Sequence, residues 1–281
     1  MRRHLIVTAD DFGLHEAVNE GVEQASREGI LTAASLMVSA PASEDAVRRA
    51  RRLPNLRVGL HLVLADGWAT LPPAQIPDIA DAESRMDDAM FSRGVRYFVS
   101  RSVRGQLAAE IRAQFAAFAR TGLALDHVNV HKHFHLHPTI LGYLIQVARE
   151  CGARSVRVPD EPCWFAARGA KWAAVASTAL LAPWVLLMKH RLRAAGIFHN
   201  DRVFGIAHSG AMDEGQMLAV LSRLPPGVTE IYLHPATVSG SAIAKTMPDY
   251  RHADELAALL SPRVRTALSA MNVRCGGYGD A

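Results

Sequence analysis

The 281-residue sequence predicts an α/β fold: a (β/α) barrel, TIM-like and distorted or seven-stranded, forming one domain over 1–281 with an apolar helical insertion at 164–200. Two observations carry that prediction. Short apolar, β-rich runs alternate with longer helical patterns over most of the length, as in a parallel sheet built from β-α units. About seven or eight such units favour a closed or nearly closed barrel over an open sheet. The composition, 49% apolar and 21% charged, is that of an ordinary globular chain.

The first strand is read at Leu5–Ala9; its apolar run stops at two acids, too soon for the core of a signal peptide. A helix over Glu16–Glu28 follows, closed by Gly29. Strands are then expected at Ala34–Ser39, Val58–Leu62, Leu125–Val130, Ser155–Val158, Val203–Ala207 and Thr229–Leu233, with a last one near Asn272–Cys275. Helices are expected at Ser43–Arg52, at Val103–Arg120 before Gly122, and at Thr139–Glu150 before Gly152. Two stretches break the alternation. From Asp66 to Gly94, Pro72, Pro73 and Pro77 with Asp78, Asp81, Glu83, Asp87 and Asp88 predict a long loop or lid of variable conformation. Ala173–Met188 carries no charge, with Lys171 before it and Lys189, Arg191 and Arg193 after it. That run is shorter than the roughly 20 residues a membrane-spanning helix needs. Two helices broken near Pro183 are expected there, with Trp172, Leu180, Leu181, Trp184, Leu186, Leu187 and Met188 on apolar faces. Such faces suit a membrane interface or the cover of a lipid tail; burial on the barrel or across a homodimer is the alternative. Arg48, Arg49, Arg51 and Arg52 read as a solvated helix face or a further membrane contact.

The charge balance, 31 Lys+Arg against 27 Asp+Glu, is too even to argue for nucleic acid. No G-x-G-x-x-G or P-loop follows a strand, which leaves the common nucleotide sites unsupported. Three cysteines, Cys151, Cys163 and Cys275, form no C-x-x-C pair. Reduced thiols and a cytoplasmic setting are expected, at most peripheral to the inner face of the membrane.

Four strands end in acids or histidines: Asp10 and Asp11, His61, His131 and His234. In a parallel barrel the C-terminal strand ends open onto one face, so these residues converge. Asp11, His61 and His131 supply one carboxylate and two imidazoles for one divalent metal ion, with positions left for water and substrate. Asp10, beside the ion without ligating it, is placed as general base. His234, stiffened by Pro235, is placed to protonate a departing amine or stabilise an oxyanion. Asn129, His133, His135 and Arg157 are expected to contact substrate or support the ligands. The odd spacing of His127, His131, His133, His135 and His137 would put all five on one side of an extended chain. Taken singly, an Asp-Asp pair reads as a turn and a strand-end histidine as structural; four strand ends together point to a site. Two-histidine, one-carboxylate sets also serve iron(II) oxygenases, and a sugar or lipid carrier with a structural metal is a third possibility.

Thr8-Ala9-Asp10-Asp11-Phe12-Gly13, Gly59-Leu60-His61-Leu62, the run His131-Lys132-His133-Phe134-His135-Leu136-His137-Pro138 and Leu233-His234-Pro235 together resemble the YdjC-like carbohydrate deacetylases, in order from residue 1 to about 240. The resemblance implies a (β/α) barrel that removes N-acetyl groups from amino sugars with a divalent metal. It implies Asp11, His61 and His131 as ligands and Asp10 as base. Magnesium is the metal commonly associated with the family, whereas the imidazoles suit zinc, manganese, cobalt or iron. Asn129 departs from the pattern, standing where many members have aspartate and putting a neutral amide where a carboxylate would orient His131 or a water. The histidine run with the apolar insertion is also similar to the branch associated with hopanoid biosynthesis, which implies an N-acetylglucosaminyl lipid as substrate.

Overall fold

The computed structural model describes residues 3–167 and 172–281, and their side chains except those of 172–179. The expectations placed on Lys171 and on the Trp172 side chain lie outside the described residues. Along the chain come β1 (Arg3–Phe12), α1 (Glu16–Glu28), β2 (Ala33–Leu36), α2 (Ser43–Ala50), β3 (Arg57–Leu62), β4 (Gly67–Trp68) and β5 (Arg85–Met86). Then follow α3 (Met90–Val99), α4 (Arg101–Arg120), β6 (Leu125–Val130), α5 (Pro138–Glu150), α6 (Cys163–Ala166), α7 (Trp172–Ala194) and β7 (Arg202–Phe204). The chain closes with α8 (Glu214–Leu221), β8 (Gly227–Leu233), α9 (His252–Leu260), α10 (Pro262–Ser269) and β9 (Arg274–Cys275).

The main sheet is parallel and curled, in the order β6-β3-β2-β1-β8-β7. β1 lies at its centre and is buried at every position after Arg3, which explains an apolar run without alternation. β8 pairs along β1 from Arg3 to Ala9, whereas β2 joins only at Thr8. β9 takes the free edge before that, pairing with His4 and Leu5. The arc between β6 and β7 is thin: two isolated parallel bridges, Val128 to Val156 and Ser155 to Phe198, replace the expected strand Ser155–Val158. Pro159 ends the segment before a ladder can form. The expected strand Val203–Ala207 stops at Phe204 because the next three amides, of Gly205, Ile206 and Ala207, donate to the buried Glu161 carboxylate instead of to a neighbouring strand. The outcome is a distorted barrel with the helices outside it.

Two other expectations change. The stretch from Asp66 to Gly94 is no irregular lid: β4 and β5 pair antiparallel, and α3 begins at Met90. Buried Arg93 ties it down, donating to Ile79 O at 2.7 Å and Asp87 Oδ1 at 2.7 Å. Pro183 does not split the insertion, which is one helix from Trp172 to Ala194. A proline inside a helix costs about 3 kcal/mol, and burial of Val185, Met188 and Leu192 along one side offsets it. Leu180, Trp184 and Leu186 stay exposed, at 78%, 47% and 66%. Among the described residues, no helix is long and apolar enough to cross a membrane.

Candidate metal and catalytic centre

Along a regular strand Asp10 and Asp11 would point to opposite faces of the sheet. Here the register between β1 and β2 shifts between Ala9 and Phe12, and Asp11 takes a left-handed φ of 60°. Aspartate tolerates that conformation at a cost of about 1–3 kcal/mol. Gly13, at φ 97°, completes the turn where a Cβ would meet Met37 O and Ser43 Cα at 3.1 Å. The bulge brings both carboxylates into one site.

Asp11 Oδ1 stands 3.2 Å from His61 Nε2 and 3.2 Å from His131 Nδ1, and those two nitrogens are 3.2 Å apart. All three side chains are buried. Neither Asp11 oxygen makes a hydrogen bond despite its burial, so the carboxylate is close to both rings without being satisfied by them. This donor set could hold a metal ion. Tetrahedral coordination at about 2.0–2.2 Å wants donors roughly 3.3–3.6 Å apart, and octahedral coordination draws them to about 3.0 Å. The observed triangle lies between the two.

Burial works against charge on His131, but the Asp11 and Asp66 carboxylates outweigh it and lift the ring to about 9. That proton and a bound cation compete for one position. At pH 7 each ion taken up should therefore release about one proton, and affinity should fall up to about tenfold per unit as pH drops below 9. Zinc titration calorimetry in buffers of different ionisation heat checks both; uptake without proton release would contradict them.

Asp10 is buried, and both its oxygens are engaged: Arg157 donates to Oδ2 at 2.5 Å and to Oδ1 at 2.9 Å, and Asn129 Nδ2 donates to Oδ1 at 2.9 Å. Burial alone would raise its pKa; the Arg157 guanidinium prevails and holds the carboxyl well below the usual range. Arg157 also donates to Glu230 at 2.9 and 2.7 Å, and its guanidinium lies 4.8 Å from the centre of the Tyr232 ring. Thr8 and Tyr278 hydroxyls donate to the same glutamate. Arg157, fully buried among these groups, directs its donors at the Asp10 and Glu230 carboxylates.

His234 lines a cavity of about 210 Å³ with Asp10, His61, His131, His133, Tyr232 and Tyr250. Burial disfavours its protonation, but Glu255 with Asp11 raises its pKa. Glu255 also accepts the His234 backbone N–H at 2.5 Å, which fixes the turn after β8.

The histidine run does not continue the strand. After Val130 it coils into a 3-10 turn, with Lys132 and His133 at φ 54° and 53°. His133 stays on the cavity wall, 3.1 Å from the Tyr232 hydroxyl, and burial keeps it well below its usual value. His135 points away and donates to the Arg157 carbonyl at 2.9 Å; burial takes it down to about 4. His137 sits at the start of α5, beside Gly94 and Phe98. Asn129 contacts Asp10 and His61, not His131: its Oδ1 accepts from His61 Nδ1 at 2.7 Å.

Residues the sequence left unmarked complete the centre. Asp66, at the start of the β4–β5 excursion, pairs with Lys132 at 2.7 Å and faces His131 Nε2 at 3.9 Å. Glu230 and Ser35 were legible only as polar residues inside apolar strands.

The sequence matches the model of the YdjC-like protein family over residues 4–270. The chain belongs to the YdjC-like family. A relative named carbohydrate deacetylase, from Geobacillus stearothermophilus, is 28% identical over 100% of this chain and 98% of its own. Another of that name, from Brevibacillus brevis, is 41% identical over 57% of this chain and 60% of its own length. Among solved structures, a provisionally named cellobiose-phosphate cleavage protein from Enterococcus faecalis shares the fold with a TM-score of 0.78 at 21% identity, covering 100% of this chain and 99% of that one. The lactam utilization protein of Thermus thermophilus is a more distant match, TM-score 0.52 at 13% identity over 98% and 99% of the two chains.

Proposed function

We propose that this YdjC-like protein is a divalent-metal-dependent carbohydrate deacetylase that removes the N-acetyl group from an amino sugar carried on a lipid, of the N-acetylglucosaminyl hopanoid type. The observation that carries the reading is one buried Asp/His/His group whose two histidines line one cavity with Asp10 and His234, in a chain whose curated relatives are named carbohydrate deacetylases.

Asp11, His61 and His131 would hold the ion. A divalent cation supplies Lewis acidity, lowering the pKa of water from 15.7 to about 7 and polarising a carbonyl. Asp10, held ionised by Arg157, accepts a proton from the attacking water. Water oxygen bonds to the acetyl carbon and the C–N bond breaks. His234, its pKa raised, gives a proton to the leaving nitrogen, so acetate and the free amine result. His133 and Tyr232 on the cavity wall are placed for sugar hydroxyls.

A groove of about 700 Å³ supports the lipid. It shares Lys132, His133 and Ile206 with the catalytic cavity and runs between Trp164 and the Leu181, Val185 and Leu186 side of α7. Its size is within the range of small-molecule sites. The exposed Leu180, Trp184 and Leu187, with Arg191 and Arg193 beyond them, suit peripheral contact with the inner face of the membrane.

Mass spectrometry decides between substrates. Metal-loaded protein incubated with N-acetylglucosaminyl lipid in vesicles should remove one acetyl unit and release equimolar acetate, faster than from chitin-like oligosaccharides. Turnover of the soluble sugars alone would remove the lipid from this reading. No acetate from either, with magnesium, zinc, manganese, cobalt or iron(II), would overturn the deacetylase.

A further inference from the structure

Among the described residues, Asn129 is the one side-chain amide in contact with both the base and a ligand of the proposed site, and an amide can point either way. In the observed orientation its Oδ1 faces His61 Nδ1, and its Nδ2 faces Asp10 Oδ1 and Ser35 Oγ, both at 2.9 Å. Turned over, it would present N–H to His61 Nδ1 and drive the ring toward the tautomer that carries its proton on Nε2, the nitrogen aimed at Asp11 and His131. The identity of the group that fixes Asn129 therefore matters to ion binding.

The hydrogen bonds behind it run in one direction. Ser35 Oγ lies 3.0 Å from His127 Nε2, and His127 Nδ1 lies 2.9 Å from Asp126 Oδ2. Asp126 accepts backbone N–H from Tyr278 and Gly279 as well, at 3.0 and 2.9 Å, and has no proton of its own to give while ionised. In the neutral ring, His127 Nδ1–H donates to Asp126, which leaves Nε2 as an acceptor. Ser35 O–H donates to Nε2, and the serine oxygen is free to accept only from Asn129 Nδ2. Ser35 Oγ and the ionised Asp10 Oδ1 then both accept from Nδ2, and Asn129 Oδ1 has one direction left, toward His61. The ring that transmits this is held in place on both sides. Tyr278 stacks on His127 at 4.9 Å, and a Cβ at Gly59 would sit 2.5 Å from its ring atoms. Gly59 is the first residue of the Gly-Leu-His-Leu motif, so the motif makes room for His127 two positions before it supplies His61.

We propose that Ser35 and His127 are positioning residues: with Asp126 they form a one-way hydrogen-bond chain that fixes the Asn129 amide and thereby holds His61 in its metal-binding tautomer. The proposal rests on the reading of Asp11, His61 and His131 as the ion's ligands. It assigns a role to a histidine of the run that touches neither the cavity nor the ligands, and it accounts for an amide at 129: a carboxylate there could accept from His61 but could not donate to Asp10.

The test is zinc affinity of the metal-free protein, measured by competition with a chelating dye, for wild type, Ser35→Ala and His127→Phe. Phenylalanine keeps the stack on Tyr278 and the fit over Gly59 while deleting both ring nitrogens. Both variants should bind zinc roughly 10- to 100-fold more weakly, as loss of a partner behind a ligand does elsewhere. In zinc-loaded wild type, 15N spectra of labelled histidine should show His61 protonated on Nδ1 and hydrogen-bonded; that signal should broaden or shift in both variants. Wild-type zinc affinity with an unchanged His61 signal in Ser35→Ala would overturn the proposal. If His127→Phe fails to fold, Ser35→Ala, which deletes one hydroxyl, decides alone. Zinc affinity is read without substrate, so absence of acetate release would count against the deacetylase and leave this result standing.

Discussion

Replacing Asp10 by asparagine should reduce acetate release by about 10²- to 10⁴-fold, the range of a general base, while bound-ion content stays near wild type. His61→Ala should instead lose the ion. The contrast follows from geometry: the His61 ring is one corner of the 3.2 Å triangle, whereas Asp10 keeps both oxygens on Arg157 and Asn129. Asp10→Asn should also fold. Two carboxylates share the Arg157 guanidinium, so Glu230 still neutralises it when Asp10 loses its charge. The pH profile has a definite sign. As the proposed base Asp10 would act ionised, and it is held well below the ordinary carboxylate range, so its protonation should remove activity only in strong acid. As the proposed acid His234 would act protonated, and its pKa is raised, so activity should fall as pH climbs through that raised value. Acetate release by Asp10→Asn at the wild-type rate would show that another group takes the proton.

Arg157→Met carries the largest expected loss of stability. The side chain is fully buried and is the cation between Asp10 and Glu230. Removing one partner of a buried ion pair costs about 3–5 kcal/mol because the charge left behind is uncompensated. In a chain of this size that lowers Tm by roughly 5–9 °C, measurable by calorimetry. The pH dependence should reverse as well. In wild type Asp10 is depressed, so its contribution to stability is present above the unfolded value near 4 and lost as pH falls toward its folded value. Without the guanidinium, burial is the dominant influence and raises Asp10 above its unfolded value. Its contribution is then present below about pH 4 and lost as pH rises through the raised value. The variant should therefore recover part of its deficit between pH 7 and pH 5. A Tm unchanged at pH 7 would mean that the two carboxylates find other partners.

Much of the fold was legible because local chemistry repeats along the chain. The helix at Glu16–Glu28 was read to the residue, its Gly29 amide donating to Ala25 O, because apolar spacing and a terminal glycine are local signals. The strand at Ser155–Val158 was overread: the same β-rich composition occurs in a segment that makes only single bridges before a proline stops it. The break at Pro183 was overread too, since the burial of Val185, Met188 and Leu192 that sustains the helix is not written near the proline. At the site, residue type and position at strand ends sufficed to nominate Asp10, Asp11, His61, His131 and His234. Periodicity failed for the histidines beyond Val130, because two consecutive left-handed residues turn the chain where an extended reading continues it.

By itself, then, the sequence determined most of the β-α units and which side chains stand at the open ends of the strands, since hydrophobic periodicity and residue chemistry are carried by neighbours in the chain. Partnership was decided only by the tertiary structure. That Arg157 serves Asp10 and Glu230, that Asn129 turns toward His61 rather than His131, and that Glu161 ends β7 all depend on contacts between residues 44 or more positions apart. A buried polar group must be satisfied by whatever folding brings within about 3 Å, and no local pattern encodes which group that will be.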